Sequence, residues 1–265
     1  MPDWMAVVIL AIIEGITEFL PVSSTGHLLL AENSRLLAPQ SELFNVVIQA
    51  GAVLAVFLAF SGRVRELLSS LSDRGTRDYL FKLMIAFGLT AVGGLGAKMA
   101  GFVLPKDVWP IALATLAGGV LILVIERAFG RSALGTKITW TMAVAVGAAQ
   151  LLAAVCPGTS RAAATILIAV AFGLNRPAAT EFSFLLGIPT LFAASGYEIY
   201  KALQAPAADA TGWEMVALGT VVSAIVAFVV VRWILRWVQT HTFAVFGWYR
   251  VALGLFMVAL GDTTR

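Results

Sequence analysis

At 265 residues, with 60% hydrophobic and only 12% charged side chains and a mean hydropathy of +0.91, the chain is not an ordinary soluble domain, whose charged fraction runs near ~25%. The formal charge of +3 sits mostly on Lys and Arg in short loops, which speaks to membrane orientation and not to nucleic acid. The single cysteine, Cys156, excludes an intrachain disulfide, and no Walker or Rossmann glycine pattern or zinc-type Cys/His spacing occurs.

Apolar runs between polar punctuation predict ten segments, roughly 4–20, 27–38, 43–60, 79–97, 109–127, 138–155, 162–174, 182–200, 213–235 and 243–260. The first segment has no basic residues ahead of it, so it is expected to stay in the mature protein. It runs into Glu14-Gly15-Ile16-Thr17-Glu18-Phe19-Leu20-Pro21-Val22-Ser23-Ser24-Thr25-Gly26-His27. Glu14 and Glu18 share one helical face. Pro21 stops the helix, and Ser23, Ser24 and Thr25 are good caps for the next one. Carboxylates inside an apolar segment are expensive, so they mark a buried polar site.

Segments 27–38 and 162–174 are well short of the ~20 residues that a crossing needs. Each follows a Pro-containing polar motif, so both are expected to be re-entrant hairpins, tolerated at that depth only where protein or water surrounds them. Loop charges set the sides. Loop 61–78 carries Arg63, Arg65, Arg74 and Arg77, loop 128–137 carries Arg131 and Lys137, and Arg232 and Arg236 flank 236–242. These belong to the cytoplasmic face. Loop 98–108, with Lys98 and Lys106, and loop 201–212, with Lys201, then lie outside, as do both termini. Trp233 and Trp237 read as an interfacial belt. Gly93, Gly94, Gly96, Gly118 and Gly119 have no polar company and are expected to permit close helix packing.

At one fixed offset Glu14 falls on Gln150, Pro21 on Pro157 and Ser24 on Ser160. The expected fold is therefore all-α and polytopic: a single integral membrane domain, 1–265, made of inverted five-plus-five repeats at roughly 1–130 and 131–265. Its two re-entrant hairpins would meet near the membrane midplane. The second motif, Pro157-Gly158-Thr159-Ser160-Arg161-Ala162-Ala163-Ala164-Thr165, looks built for an anion. Gly158 lets backbone come close to a ligand, Ser160 caps, the helix start offers free amides, and Arg161 adds a planar fork. Thr165 lies on the same helical face as Arg161. Carboxylates facing an anion cradle imply a divalent cation between them, with Glu14 and Glu18 as hard ligands for Mg²⁺ or Ca²⁺. The reaction class is phosphoryl transfer from a lipid-borne phosphate to water, with Ser24, His27 or water as nucleophile.

Both motifs, together with Phe44-Asn45-Val46-Val47-Ile48-Gln49 and Glu181-Phe182-Ser183-Phe184-Leu185-Leu186, resemble the bacterial undecaprenyl-diphosphate phosphatases of the bacitracin-resistance type. The resemblance covers essentially the whole chain. It implies a multi-pass enzyme of the bacterial inner (plasma) membrane with its pocket facing the periplasm. Such an enzyme hydrolyses undecaprenyl diphosphate to the monophosphate, recycles the lipid carrier for peptidoglycan and needs a divalent cation. Carried over residue by residue, the acidic motif maps onto Glu14 and Glu18, the histidine onto His27, and the second motif onto Pro157, Gly158, Ser160, Arg161 and Thr165. The family commonly has serine where this chain has Ala162. The candidate site is then Ser24, His27, Glu18 and Arg161 for catalysis, Ser23, Thr25, Gly158, Thr159, Ser160, Arg161 and Thr165 for substrate phosphate, and Glu14 and Glu18 for metal. The partners are the membrane and a polyprenyl diphosphate, with no nucleic acid, and a homodimer is left open. The rival class is a lipid flippase or secondary transporter, since inverted repeats with broken helices are common there.

Overall fold

The computed structural model describes residues 3–33, 37, 40–105, 107–130, 134–204 and 212–263. Lys106 and Arg131, used above to assign sides, lie outside them. The described residues are all-helical: α1 (Asp3–Thr17), α2 (Ser24–Asn33), α3 (Glu42–Ala59), α4 (Ser61–Ser69), α5 (Arg74–Met99), α6 (Val108–Ala128), α7 (Trp140–Val155), α8 (Arg161–Ala171), α9 (Arg176–Gln204), α10 (Trp213–Trp237) and α11 (Ala244–Thr263). Ten of these answer to the ten expected segments. The exception is α4, which lies in what the sequence suggests is a loop. It is short and charged but seats Leu67 in the core, and Arg63 on it reaches Glu181 of α9 at 2.9 Å.

Helices α3, α5, α6, α9 and α10 are long and apolar enough to cross a membrane. Large apolar side chains such as Val92 (74% exposed) and Met99 (80% exposed) stand on the outer surface. An aqueous protein does not sustain apolar patches of that extent, and lipid accommodates them. The chain is a multi-pass membrane protein.

Without a hydrophobic drive between helices in lipid, close backbone packing at small residues holds them together. The most extensive pair is α6 with α11. A Cβ on Gly119 would lie 2.8 Å from Gly247 O, and one on Gly254 would lie 2.7 Å from Leu116 Cβ. Helix α1 packs on α10 and α7 on α5, again through glycines. A Cβ on Gly15 would meet Ser223 O at 2.8 Å, and one on Gly147 would meet Ala86 O at 2.8 Å. Of the glycines expected to serve packing, Gly93 meets Leu151, but Gly94 and Gly96 face open space, and Gly118 accommodates the guanidinium of Arg250.

Two connections matter for the site. Between α1 and α2 the chain turns through residues 18–23, and between α7 and α8 through 156–160. Each turn ends on an N-cap serine in the left-handed region, Ser23 (φ 74°) and Ser160 (φ 69°), the only such non-glycine residues among those described. Their hydroxyls accept from Gly26 N at 3.3 Å and Ala163 N at 3.2 Å.

The contact between α3 and α10 gives a direct stability test. A Cβ on Gly51 would lie 2.3 Å from Thr220 O, so Gly51→Ala should destabilise the protein by ~1–3 kcal/mol, the usual cost of overpacking. A lowered thermal unfolding temperature in detergent is the expected readout.

Candidate active site

The carboxylate of Glu18, in the turn after α1, is buried and gripped from both motifs. Ser24, the first residue of α2, donates its hydroxyl to Oε2 at 2.8 Å. Arg161, the first residue of α8, donates Nη2 to Oε1 at 3.0 Å. Structurally, Ser23 answers to Ser160 and Ser24 to Arg161. This corrects by one residue the pairing of Ser24 with Ser160 expected from the sequence, because the cap serine stands two residues after Pro21 but three after Pro157.

The Arg161 guanidinium lies over the Phe19 ring, 5.3 Å from its centroid, and reaches Ser183 O at 3.5 Å. A Cβ on Gly187 would come within 2.6 Å of its Nη1, so glycine there makes the room. Its Nε is buried without a partner. Of the five N–H donors a guanidinium offers, two are engaged. The rest are free for the oxygens of an anion such as phosphate.

Glu14 lies one turn before Glu18 and is fully buried, with both carboxylate oxygens unpartnered. A buried bare carboxylate is costly unless something positive meets it. Among the described residues no three His, Cys, Asp or Glu side chains cluster as a metal site, but two carboxylates plus substrate oxygens and water suffice for Mg²⁺ or Ca²⁺. Glu14 and Glu18 therefore fit such an ion.

His27 is directed elsewhere. Its Nδ1 lies 2.7 Å from Ser23 O and its Nε2 2.7 Å from the Tyr249 hydroxyl, and the two rings stack with centroids 5.7 Å apart. A carbonyl can only accept, so Nδ1 carries a proton, and when the ring is neutral Nε2 accepts from the Tyr249 hydroxyl. No contact joins it to Ser24.

The second motif serves the fold more than expected. Gly158 (φ 94°) is in a conformation that favours glycine, and a Cβ there would meet Ile111 O at 2.5 Å, so its missing side chain makes room for α6. Thr165 is fully buried, bonding back to Arg161 O at 2.9 Å and to Ser183 Oγ at 2.5 Å. It supports Arg161 from behind. Thr159 offers its carbonyl to Arg250 at 2.9 Å. Thr25 is exposed, apart from the buried cluster. Ala162 is fully buried in the core, so the position where the family commonly has serine faces packing. Gln150, expected opposite Glu14, donates to Thr90 and Thr190 at 2.9 and 3.1 Å.

The capped helix starts leave the first amides of α2 and α8 ahead of any intrahelical bond, a disposition suited to anions. A separate cavity of about 970 Å³, bounded by Arg63, Tyr79, Lys82, Lys137 and Glu181 among others, contains none of the motif residues. Two of its cations are already paired, Arg63 with Glu181 and Lys82 with Asp78. The two motifs converge instead on the narrower cluster around Glu18. Sequence reasoning missed Tyr249 and Arg250. The available signal was an arginine inside an apolar segment.

A family model described as bacitracin resistance protein BacA matches residues 7–256. A protein of Rhizobium etli (strain CIAT 652) named undecaprenyl-diphosphatase is 46% identical over 98% of this chain and 98% of its own length. Another of that name, from Xanthomonas oryzae pv. oryzae (strain PXO99A), is 47% identical over 96% of each chain.

Removing one partner of a buried ion pair strands the other charge, at a cost of ~3–5 kcal/mol. Arg161→Met should therefore unfold in detergent well before the parent protein. Adding Glu18→Gln to it should recover part of the loss, as read in a double-mutant cycle.

Proposed function

We propose that this chain, which belongs to the bacitracin resistance protein BacA family, hydrolyses undecaprenyl diphosphate with water to undecaprenyl phosphate and inorganic phosphate, the activity named for its relatives. It is a membrane enzyme acting on a lipid substrate, and the product is the carrier required for cell-wall synthesis. The observation that carries the mechanism is the Glu18 carboxylate, held between the Ser24 hydroxyl and the Arg161 guanidinium. That arrangement joins a nucleophile, a base and an anion-binding group at one point, and translocation alone has no use for it.

Arg161 binds the diphosphate through its free N–H groups, and the first amides of α2 and α8 face the remaining oxygens. As phosphate competes for Arg161, the Glu18 carboxylate is released from it and stays bonded to Ser24. Ser24 Oγ attacks the terminal phosphorus, its proton passes to Glu18 Oε2, and undecaprenyl phosphate leaves. Glu18 gives that proton to the departing undecaprenyl phosphate, takes one from the water that attacks the phosphoserine, and returns it to Ser24 Oγ as inorganic phosphate leaves. A divalent cation at Glu14 and Glu18 supplies charge neutralisation for the phosphate oxygens. His27 orients α2 through Ser23 and Tyr249 in this scheme and is not the attacking group.

The reading extends to the membrane. The packing of α1 on α10 and of α7 on α5, with the two left-handed N-cap serines, supports inverted repeats whose short helices α2 and α8 dip into the bilayer and return. Loop charges favour an inner-membrane protein with its site open to the periplasm.

Purified protein in detergent should release phosphate from undecaprenyl diphosphate and stop when the divalent cation is chelated. Ser24→Ala and Glu18→Gln should each lower turnover ~10²-fold or more, and acid-quenched enzyme should carry phosphate on Ser24. A phospho-adduct on His27, or full activity in Ser24→Ala, would overturn the assignment.

A further inference from the structure

Helix α11 lies outside both motifs, yet two consecutive side chains on it reach them. Tyr249 holds His27. Arg250 is fully buried, and its guanidinium donates to five backbone carbonyls. Nε reaches Thr115 O at 3.2 Å, Nη1 reaches Pro21 O at 3.4 Å and Thr159 O at 2.9 Å, and Nη2 reaches Ala114 O at 3.3 Å and Gly158 O at 2.8 Å. These use every donor the group has. Among the described residues no carboxylate pairs with it.

We propose that Arg250 is a positioning residue for the phosphatase reaction, fixing the two motif turns against each other and keeping their carbonyls away from the substrate phosphates. It rests on the phosphatase reading above. Pro21 is three residues from Ser24, and Thr159 is two from Arg161. One planar group therefore sets the separation of nucleophile and phosphate clamp, using α6 as a common base. Because C=O and N–H point oppositely across a trans peptide, drawing Thr159 O to Arg250 turns the Ser160 N–H to the side away from α11. Without the guanidinium the Thr159 carbonyl would lose its donor and Gly158 O would keep only the longer bond from the Thr115 hydroxyl at 3.4 Å, and any carbonyl turned toward the site would repel phosphate. The guanidinium also places an unpaired positive charge beneath both turns.

Lysine keeps the charge but has three donors on one atom and cannot span five carbonyls. Arg250→Lys should fold yet lose ~10–100-fold in kcat, the scale expected of small misplacements, with KM changed far less. A purely structural role would instead reduce the folded fraction and leave kcat per folded molecule unchanged. Gly118→Ala displaces the same group without removing it, because the new Cβ would lie 2.1 Å from Arg250 Nη2. It should show the same kcat signature. The experiment is phosphate release from undecaprenyl diphosphate by full-length protein in detergent, alongside thermal unfolding. Unchanged kcat in both folded variants would overturn the proposal. Failure of both to fold would also overturn it, making Arg250 an element of the fold alone. Inactive wild-type protein would instead fail the phosphatase reading.

Discussion

The carboxylate of Glu18 is the constraint on which the rest depends. It sits in the turn after α1 and is bound by the first side chain of α2 and the first side chain of α8, so three separate stretches of chain are tied at one group. A buried carboxylate bound on one side only would cost more than it gains. The two helix starts must therefore arrive together. The left-handed N-cap serines bring them there by turning the chain abruptly before each helix, in a conformation that costs on the order of 1–3 kcal/mol away from glycine. Strain of this size persists only where the surroundings fix it, and here those surroundings are the cap hydrogen bonds, the ion pair and the packing of α6 beneath Gly158.

The two buried arginines divide the work by their unused valences. Arg250 has every donor committed to main chain, and Arg161 has donors to spare and a neighbouring carboxylate it can exchange for phosphate. The same side chain thus does opposite jobs at the two positions. What separates them is whether the surrounding carbonyls saturate the guanidinium.

Much of this was legible in the sequence. Ten apolar segments stood out because helices in lipid must be long and apolar, and Glu14, Glu18 and Arg161 stood out because charge there is expensive. Helix α4 did not, because nine largely polar residues read as a loop until Leu67 is seen in the core. The pairing of the two serine motifs was misread by one place because a turn length cannot be seen in an ungapped offset. Thr165 and Gly158 had the right composition for binding phosphate, but tertiary neighbours claimed them first: Ser183 for the hydroxyl, α6 for the space. Tyr249 and Arg250 sit in a run with no repeat or proline to frame it, and only folding brings them to the motifs.

The saturated guanidinium of Arg250 also bears on biogenesis. An arginine in a lone helix opposes insertion, by up to ~2.5–3.5 kcal/mol at the helix centre even on the lenient scale. Its partners here are carbonyls from α6, the turn after α1 and the turn after α7. None of the three alone satisfies it. The arginine of α11 is consequently fully partnered only when both halves of the chain are assembled around it, which couples completion of the fold to completion of the site.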